Sequence, residues 1–109
     1  MTEHVFDQAI ALSSQGDGLW AGQTHPAYAN MVGPFGGITA AQVLSAVLQH
    51  PQRLGEPVAL TVNYCTGVAD GAFEVHARPA RTNRSTQHWV IEMRQQGQTV
   101  ITATAVTAA

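Results

Sequence analysis

Few residues in this chain of 109 are placed to do chemistry, and most of them fall in one stretch. No charged side chain occurs between Asp17 and Arg53, and in the middle of that gap stand Asn30, Gly33, Pro34, Gly36 and Gly37. Backbone so rich in glycine can follow strained paths and leave its N–H groups open to a visitor. If a helix starts there, those groups become the positive end of its dipole, suited to a carbonyl oxygen or an anion. Other site chemistries are missing from the sequence. No G-x-S-x-G nucleophile elbow occurs, and no pair of His, Cys or carboxylate residues sits at a zinc interval, so no metal is expected. Of the five histidines, only His25 and His88 lie near candidate segments. The single Cys65 excludes an internal disulfide framework, favours a reducing compartment and reads as a small buried hydrophobe in a strand.

The element that must carry this stretch is a helix over residues 38–49, stopped by Pro51. Its polar residues Thr39, Gln42, Ser45 and Gln49 form one narrow stripe, and a helix apolar over the rest of its circumference is normally buried. Residues 6–12 read as a short element of undecided type. Residues 15–18, with Asp17-Gly18, form a turn into a strand over 19–23, and residues 24–32 form an irregular loop. After the helix, period-two alternation marks four strands. Val58, Leu60, Val62 and Tyr64 lie on one face of the first, and Phe73, Val75 and Ala77 on one face of the second. Residues 86–95 present Trp89, Ile91 and Met93, and residues 99–107 close the chain after a Gln96-Gly97 turn. The expectation is an α+β domain over residues 1–109, with an antiparallel meander curled around one buried helix.

Composition narrows the function classes. The net charge is -2, with five arginines and no lysine, which argues against nucleic acid as a partner. A charged fraction of 11% is low and suggests surface covered by a second domain or subunit. No apolar run is long enough to span a bilayer, and Glu3 and Asp7 are foreign to a signal peptide, so a soluble cytoplasmic protein is the default.

Taken together, the chain resembles the hotdog fold, and more closely its acyl-CoA thioesterase II (TesB-like) branch. The resemblance rests on Phe6-Asp7-Gln8-Ala9, Gly16-Asp17-Gly18, Gly33-Pro34-Phe35-Gly36-Gly37 with Gln42, Thr82-Asn83-Arg84-Ser85 and the closing strand from Gln98 to Val106. It implies a curved antiparallel sheet wrapped around one central helix and an acyl-CoA thioesterase, a hydrolase needing no cofactor. Proteins of that branch usually carry two hotdogs, and this chain matches the first. Their catalytic carboxylate, hydroxyl and glutamine come mainly from the second. Single-hotdog thioesterases place an acidic residue on the helix, and none occurs here; a hydratase would need a similar acid or His–acid pair.

Carried onto this sequence, the resemblance implies that Gly37 N–H polarises the thioester carbonyl, Asn30 orients thioester or water, and Gln42 positions the attacking water. Gly36 and Thr39 would line the substrate site, and Arg81, Arg84 and Ser85 would meet the phosphates of CoA, which arginine binds bidentately. The expected partners are acyl-CoA and either a second copy or a second hotdog domain. A non-catalytic half, supplying acyl-CoA binding and interface to a catalytic partner, is the alternative.

Overall fold

The computed structural model describes residues 10–24, 29–30, 33–34, 36–69 and 71–109. Most of the expected first element, together with His25 and Asp70, lies outside the described residues.

Among the described residues, eight strands and one helix follow in the order β1 (Ser13–Gly16), β2 (Leu19–Gln23), β3 (Ala29–Asn30), β4 (Gly33–Pro34), α1 (Gly36–Leu48), β5 (Glu56–Tyr64), β6 (Ala72–Thr82), β7 (Thr86–Gln95) and β8 (Gln98–Ala108). Six of the strands form one antiparallel sheet ordered β1-β2-β6-β7-β8-β5, and β3 pairs only with β4. Turn chemistry sets two of the hairpins. Asp17-Gly18 and Gln96-Gly97 each supply two residues of positive φ (52° and 77° in both cases), which a two-residue hairpin loop with native twist requires.

Alternation works as expected in the long strands. Phe73, Val75 and Ala77 of β6 and Trp89, Ile91 and Met93 of β7 are buried, with Ile101, Ala103 and Ala105 of β8 beside them. Their neighbours Glu74, His76 and Arg78 are exposed on the opposite face. The helix lies on the buried face and adds Val43, Ala46 and Val47 to the same core. Trp89 anchors it: the indole is 1% exposed, and its Nε1–H donates to Thr107 Oγ1 at 3.2 Å. Truncating such a side chain typically costs about 3–5 kcal/mol.

Two expectations need correction. The strands after the helix are not a simple meander, because β5 pairs with β8 rather than β6 and becomes an edge. The sequence pattern gives strand identity but not neighbour order, and residues 65–69 lead the chain from this edge toward β6 on the far side of β7 and β8. Cys65 is exposed rather than buried, since it falls just past the end of that edge strand. Within the polar stripe of α1, Gln42 and Ser45 are buried and Gln49 is exposed, while Leu48 is 37% exposed and Leu44 half-buried. Ser45 is satisfied locally, with Oγ donating to Ile10 O at 3.3 Å and accepting from Gln49 Nε2 at 2.7 Å.

Candidate functional site

The two-strand ribbon β3–β4 pairs Asn30 with Gly33 and Ala29 with Pro34, and α1 begins two residues later at Gly36. Backbone pairing thus brings Asn30 to the mouth of the helix. The first four N–H groups of any α-helix have no partner within it, and Gly36 and Gly37 supply the first two. No acidic side chain occupies that first turn, so the positive end of the dipole is not neutralised from within the helix. Gln42 follows about one and a half turns along and is 1% exposed. The side chains of Asn30 and Thr39 are outside the described set.

The other end of α1 is tied down in detail. The His50 ring meets the Trp89 indole edge-on at 4.9 Å, and the Gln52 N–H donates to His50 Nδ1 at 3.1 Å. Burial lowers the His50 pKa from its ordinary value, and the nearby His76 adds to the effect. Beyond it, the Gln87 amide holds the connection to β5: its Oε1 accepts from Leu54 N at 2.7 Å, while its Nε2 donates to Gln52 O and Thr82 Oγ1. The C-terminal end of α1 and the β6–β7 turn therefore share one end of the sheet.

That turn carries Arg81, Arg84 and Ser85. Asn83 closes it, donating from N to Thr86 O at 2.7 Å and from Nδ2 to Thr86 Oγ1. Arg81 spends its Nε–H on Asn83 Oδ1 at 2.8 Å, and its side chain is exposed. Arg84 and Ser85 are exposed as well. A 13-residue helix is about 20 Å long, so Gly37 stands most of that distance from the arginines along the axis. The structure thus brings Asn30, Gly36, Gly37 and Gln42 into one neighbourhood and sets Arg81, Arg84 and Ser85 apart within the same chain. His88 is exposed on the outer sheet face, remote in register from the helix.

Carboxylates are equally separated. Glu74 and Glu92 alternate with core residues, so the pleat directs them away from α1, and Glu92 Oε1 lies 3.4 Å from Arg94 Nε. Asp17 sits in the β1–β2 turn and Glu56 at the start of the edge strand, and α1 carries none. Among the described residues no cluster of three possible metal ligands occurs.

At the far end of β7 a cavity of about 920 Å³ opens, bordered by the β7–β8 turn, by β2 and by the segment that joins β5 to β6. Sequence reasoning did not find it, because residues contributed by separate turns carry no common motif. No helix is long and apolar enough to cross a membrane among the described residues.

Comparison with known proteins places this geometry. The chain superposes with a TM-score of 0.95 and 52% identity on a conserved protein of unknown function with a hot dog fold from Alicyclobacillus acidocaldarius, over 98% of this chain and 40% of that one. It thus spans well under half of that relative's length. The acyl-CoA thioesterase II TesB2 from Mycobacterium marinum gives a TM-score of 0.78 at 17% identity, over 97% of this chain and 39% of the other. The BH2602 protein from Bacillus halodurans, solved with CoA, gives 0.74 at 19%, over 87% and 68% respectively. At such identities the last two speak for the fold alone, which is the hotdog. No curated protein matches the chain. The family model of the acyl-CoA thioesterase N-terminal domain covers residues 25–108, and the chain belongs to that family.

Proposed function

We propose that this domain binds an acyl-CoA thioester with its carbonyl oxygen at the N-terminus of α1, and that it does so paired with a second hotdog. The observation that carries the reading is the juxtaposition of Asn30, Gly36 and Gly37 at the N-terminus of a helix with no acidic residue in its first turn, in a chain of this family. Oriented backbone donors favour the charge that develops on a thioester oxygen, and losing one such donor typically costs about 3–4 kcal/mol of barrier. Asn30 would orient thioester or water and Gln42 the attacking water, with Gly36 and Thr39 beside the acyl carbonyl.

A second hotdog follows from two features. Strand β5 is a nine-residue edge with Val58 65% exposed, and beside it α1 carries the half-buried Leu44 and the exposed Leu48. Such an edge is a template for pairing. Antiparallel pairing of β5 with a like strand reverses the neighbour end for end. The neighbour's β6–β7 turn then lies on the side of this chain's helix N-terminus. Arg81, Arg84 and Ser85 would therefore meet CoA phosphates bound at the neighbouring helix rather than their own. Water attack also needs a proton acceptor, typically worth about 10²–10⁴-fold, and the described carboxylates face elsewhere. That favours a half-site whose general base is supplied by the partner.

The test is release of free CoA from a series of acyl-CoAs, with the melting temperature measured alongside. We expect a rise in melting temperature with acyl-CoA, since a ligand that binds only the folded form stabilises it, and slow or no hydrolysis by this domain alone. Absence of any shift with every acyl-CoA overturns the ligand class. Rapid turnover abolished by Asn30→Ala or Gln42→Ala overturns the half-site and makes the chain a complete enzyme.

A further inference from the structure

The segment that leads from α1 into the edge strand β5 is pinned at three places, and a proton can undo one of them. At the first, Gln52 N–H donates to His50 Nδ1 at 3.1 Å. At the second, Gln87 Oε1 accepts from Leu54 N at 2.7 Å, and Gln87 Nε2 donates to Gln52 O at 3.0 Å. At the third, Gly55 lies at φ 72°, where a Cβ would collide with the Ala108 backbone, and Glu56 opens the β5–β8 ladder opposite Ala108. Neither the Gln87 amide nor Gly55 titrates. His50 does.

Because Nδ1 accepts, the neutral His50 ring carries its one proton on Nε2. A second proton leaves the ring without an acceptor, so an N–H would face Gln52 N–H whichever way the ring is turned. The half-buried ring is also closely seated. It meets the Trp89 indole edge-on at 4.9 Å, and a Cβ on Gly18 would stand 3.1 Å from Nε2. The elements packed around it bring no counter-charge into contact. No residue of α1 is charged. Asp17 in the β1–β2 turn and Glu56 at the start of β5 make no ion pair with the ring among the described residues. His76 and Arg78 flank Ala77 on the exposed face of β6, His88 lies on that face of β7, and Arg53 is exposed on the segment itself. Burial first, and then the charge of His76, oppose the second proton.

We propose that His50 is the acid-sensitive catch of a strap over residues 50–56: protonating its ring frees Gln52 N–H and loosens the Glu56 end of β5 from β8. Above the ordinary value of 6.5 the strap stays shut. As pH falls below it, the open segment takes up the proton that the closed one resists, so the open form gains. Strand β5 is also the edge assigned above to a second hotdog. A strand loosened at one end is a poorer template, so acid should weaken that pairing too. This consequence rests on the paired reading; the strap itself does not.

Amide hydrogen exchange of the full chain, read by NMR at about pH 7.5 and about pH 5.5 and corrected for the intrinsic rate, tests the strap, with light scattering alongside. We expect protection at Gln52 and Leu54 to fall by about threefold or more at the lower pH. Protection should hold at Cys65, whose N–H donates to Val100 O at 2.9 Å beyond the other end of β5. His50→Gln should show no such loss, and His76→Gln a smaller one. Unchanged protection at Gln52 in the parent overturns the strap, and so does an equal loss at Gln52 and Cys65, which is general loosening. If His50→Gln does not fold, His76→Gln decides, and a loss there as large as the parent's overturns the assignment. The parent's mass should fall toward 11.6 kDa at the lower pH. A strap that opens with no change in an associated mass overturns the coupling to pairing. A mass of one chain at both pH values removes the paired reading, and exchange at Gln52 still decides the strap.

Discussion

Gln87 and Gln95 stand near opposite ends of β7, both buried, and each uses its side-chain amide as a strand would use its backbone. Gln87 grips Gln52 and Leu54, and Gln95 grips Ala69 and Ala72, so one strand fixes both connections that flank the edge strand β5. Removing either amide leaves backbone groups unsatisfied in a half-buried setting. We expect Gln95→Ala to lose about 2 kcal/mol of stability. Urea unfolding of the variant beside the parent measures it, and a loss below a few tenths would show that water replaces the clamp at no cost.

Stability should depend on pH through His50. Its pKa is lowered in the folded protein by burial first and by His76 second, from the ordinary value of 6.5. Below 6.5 the unfolded chain takes up a proton that the folded chain resists, so stability falls as pH drops toward the folded value. At higher pH this group contributes its full share. Urea midpoints measured from about pH 7.5 down to about pH 5.5 should decline in the parent and flatten in His50→Gln, whose amide oxygen can still accept from Gln52 N–H.

At the mouth of the helix, Gly37→Val should lower both the melting temperature and the affinity for acyl thioester. A β-branched side chain there adds bulk where the ligand carbonyl would approach. Parallel thermal melts and calorimetry check this, and a variant equal to the parent in both removes the helix N-terminus from the site.

Arg81→Gln combined with Arg84→Gln should weaken binding of octanoyl-CoA while barely changing that of octanoyl-pantetheine. The parent's affinity for octanoyl-CoA should fall as salt rises, and the double variant's should fall less. Equal losses for the two ligands would make the arginines structural parts of the β6–β7 turn.

In solution the chain should be associated rather than single. Light scattering should give a mass well above 11.6 kDa. Val58→Lys should shift it downward, because a lysine on an exposed edge opposes pairing. A mass near that of one chain for the parent at micromolar concentration contradicts the paired arrangement.

What could be read from the residues beforehand was whatever depends on local period and turn chemistry. The helix limits moved by one or two residues, and β7 begins and ends where alternation placed it, because Trp89, Ile91 and Met93 need one face and His88, Val90 and Glu92 the other. The place of β5 was not legible, since its alternation suits β6 and β8 equally and only the three-dimensional crossing decides. For the site, Asn30 and Gly37 are joined by a ribbon of four residues, of which Ala29 and Asn30 read as loop and Gly33 and Pro34 as part of the helix entry. Pairs that short leave too few alternating positions to register as a pattern. Gln42 drew attention as a polar residue in an apolar helix, but its burial followed from α1 facing β5, β6 and β7 with a side that a helical wheel alone does not rank.

The order of strands also governs how the domain can be made. Strand β8 follows β5, β6 and β7 in sequence yet lies between β7 and β5, hydrogen-bonded to both. Glu56 waits for Ala108 and Tyr64 for Ile101, so β5 has no backbone partner within its own sheet until residues 98–108 emerge from synthesis. Until then the edge is open on both sides, and its long-range pairing is the slow kind. A nascent chain therefore holds an unpaired nine-residue strand while residues 65–97 are being made, and its vulnerability to aggregation ends when β8 slots into the gap.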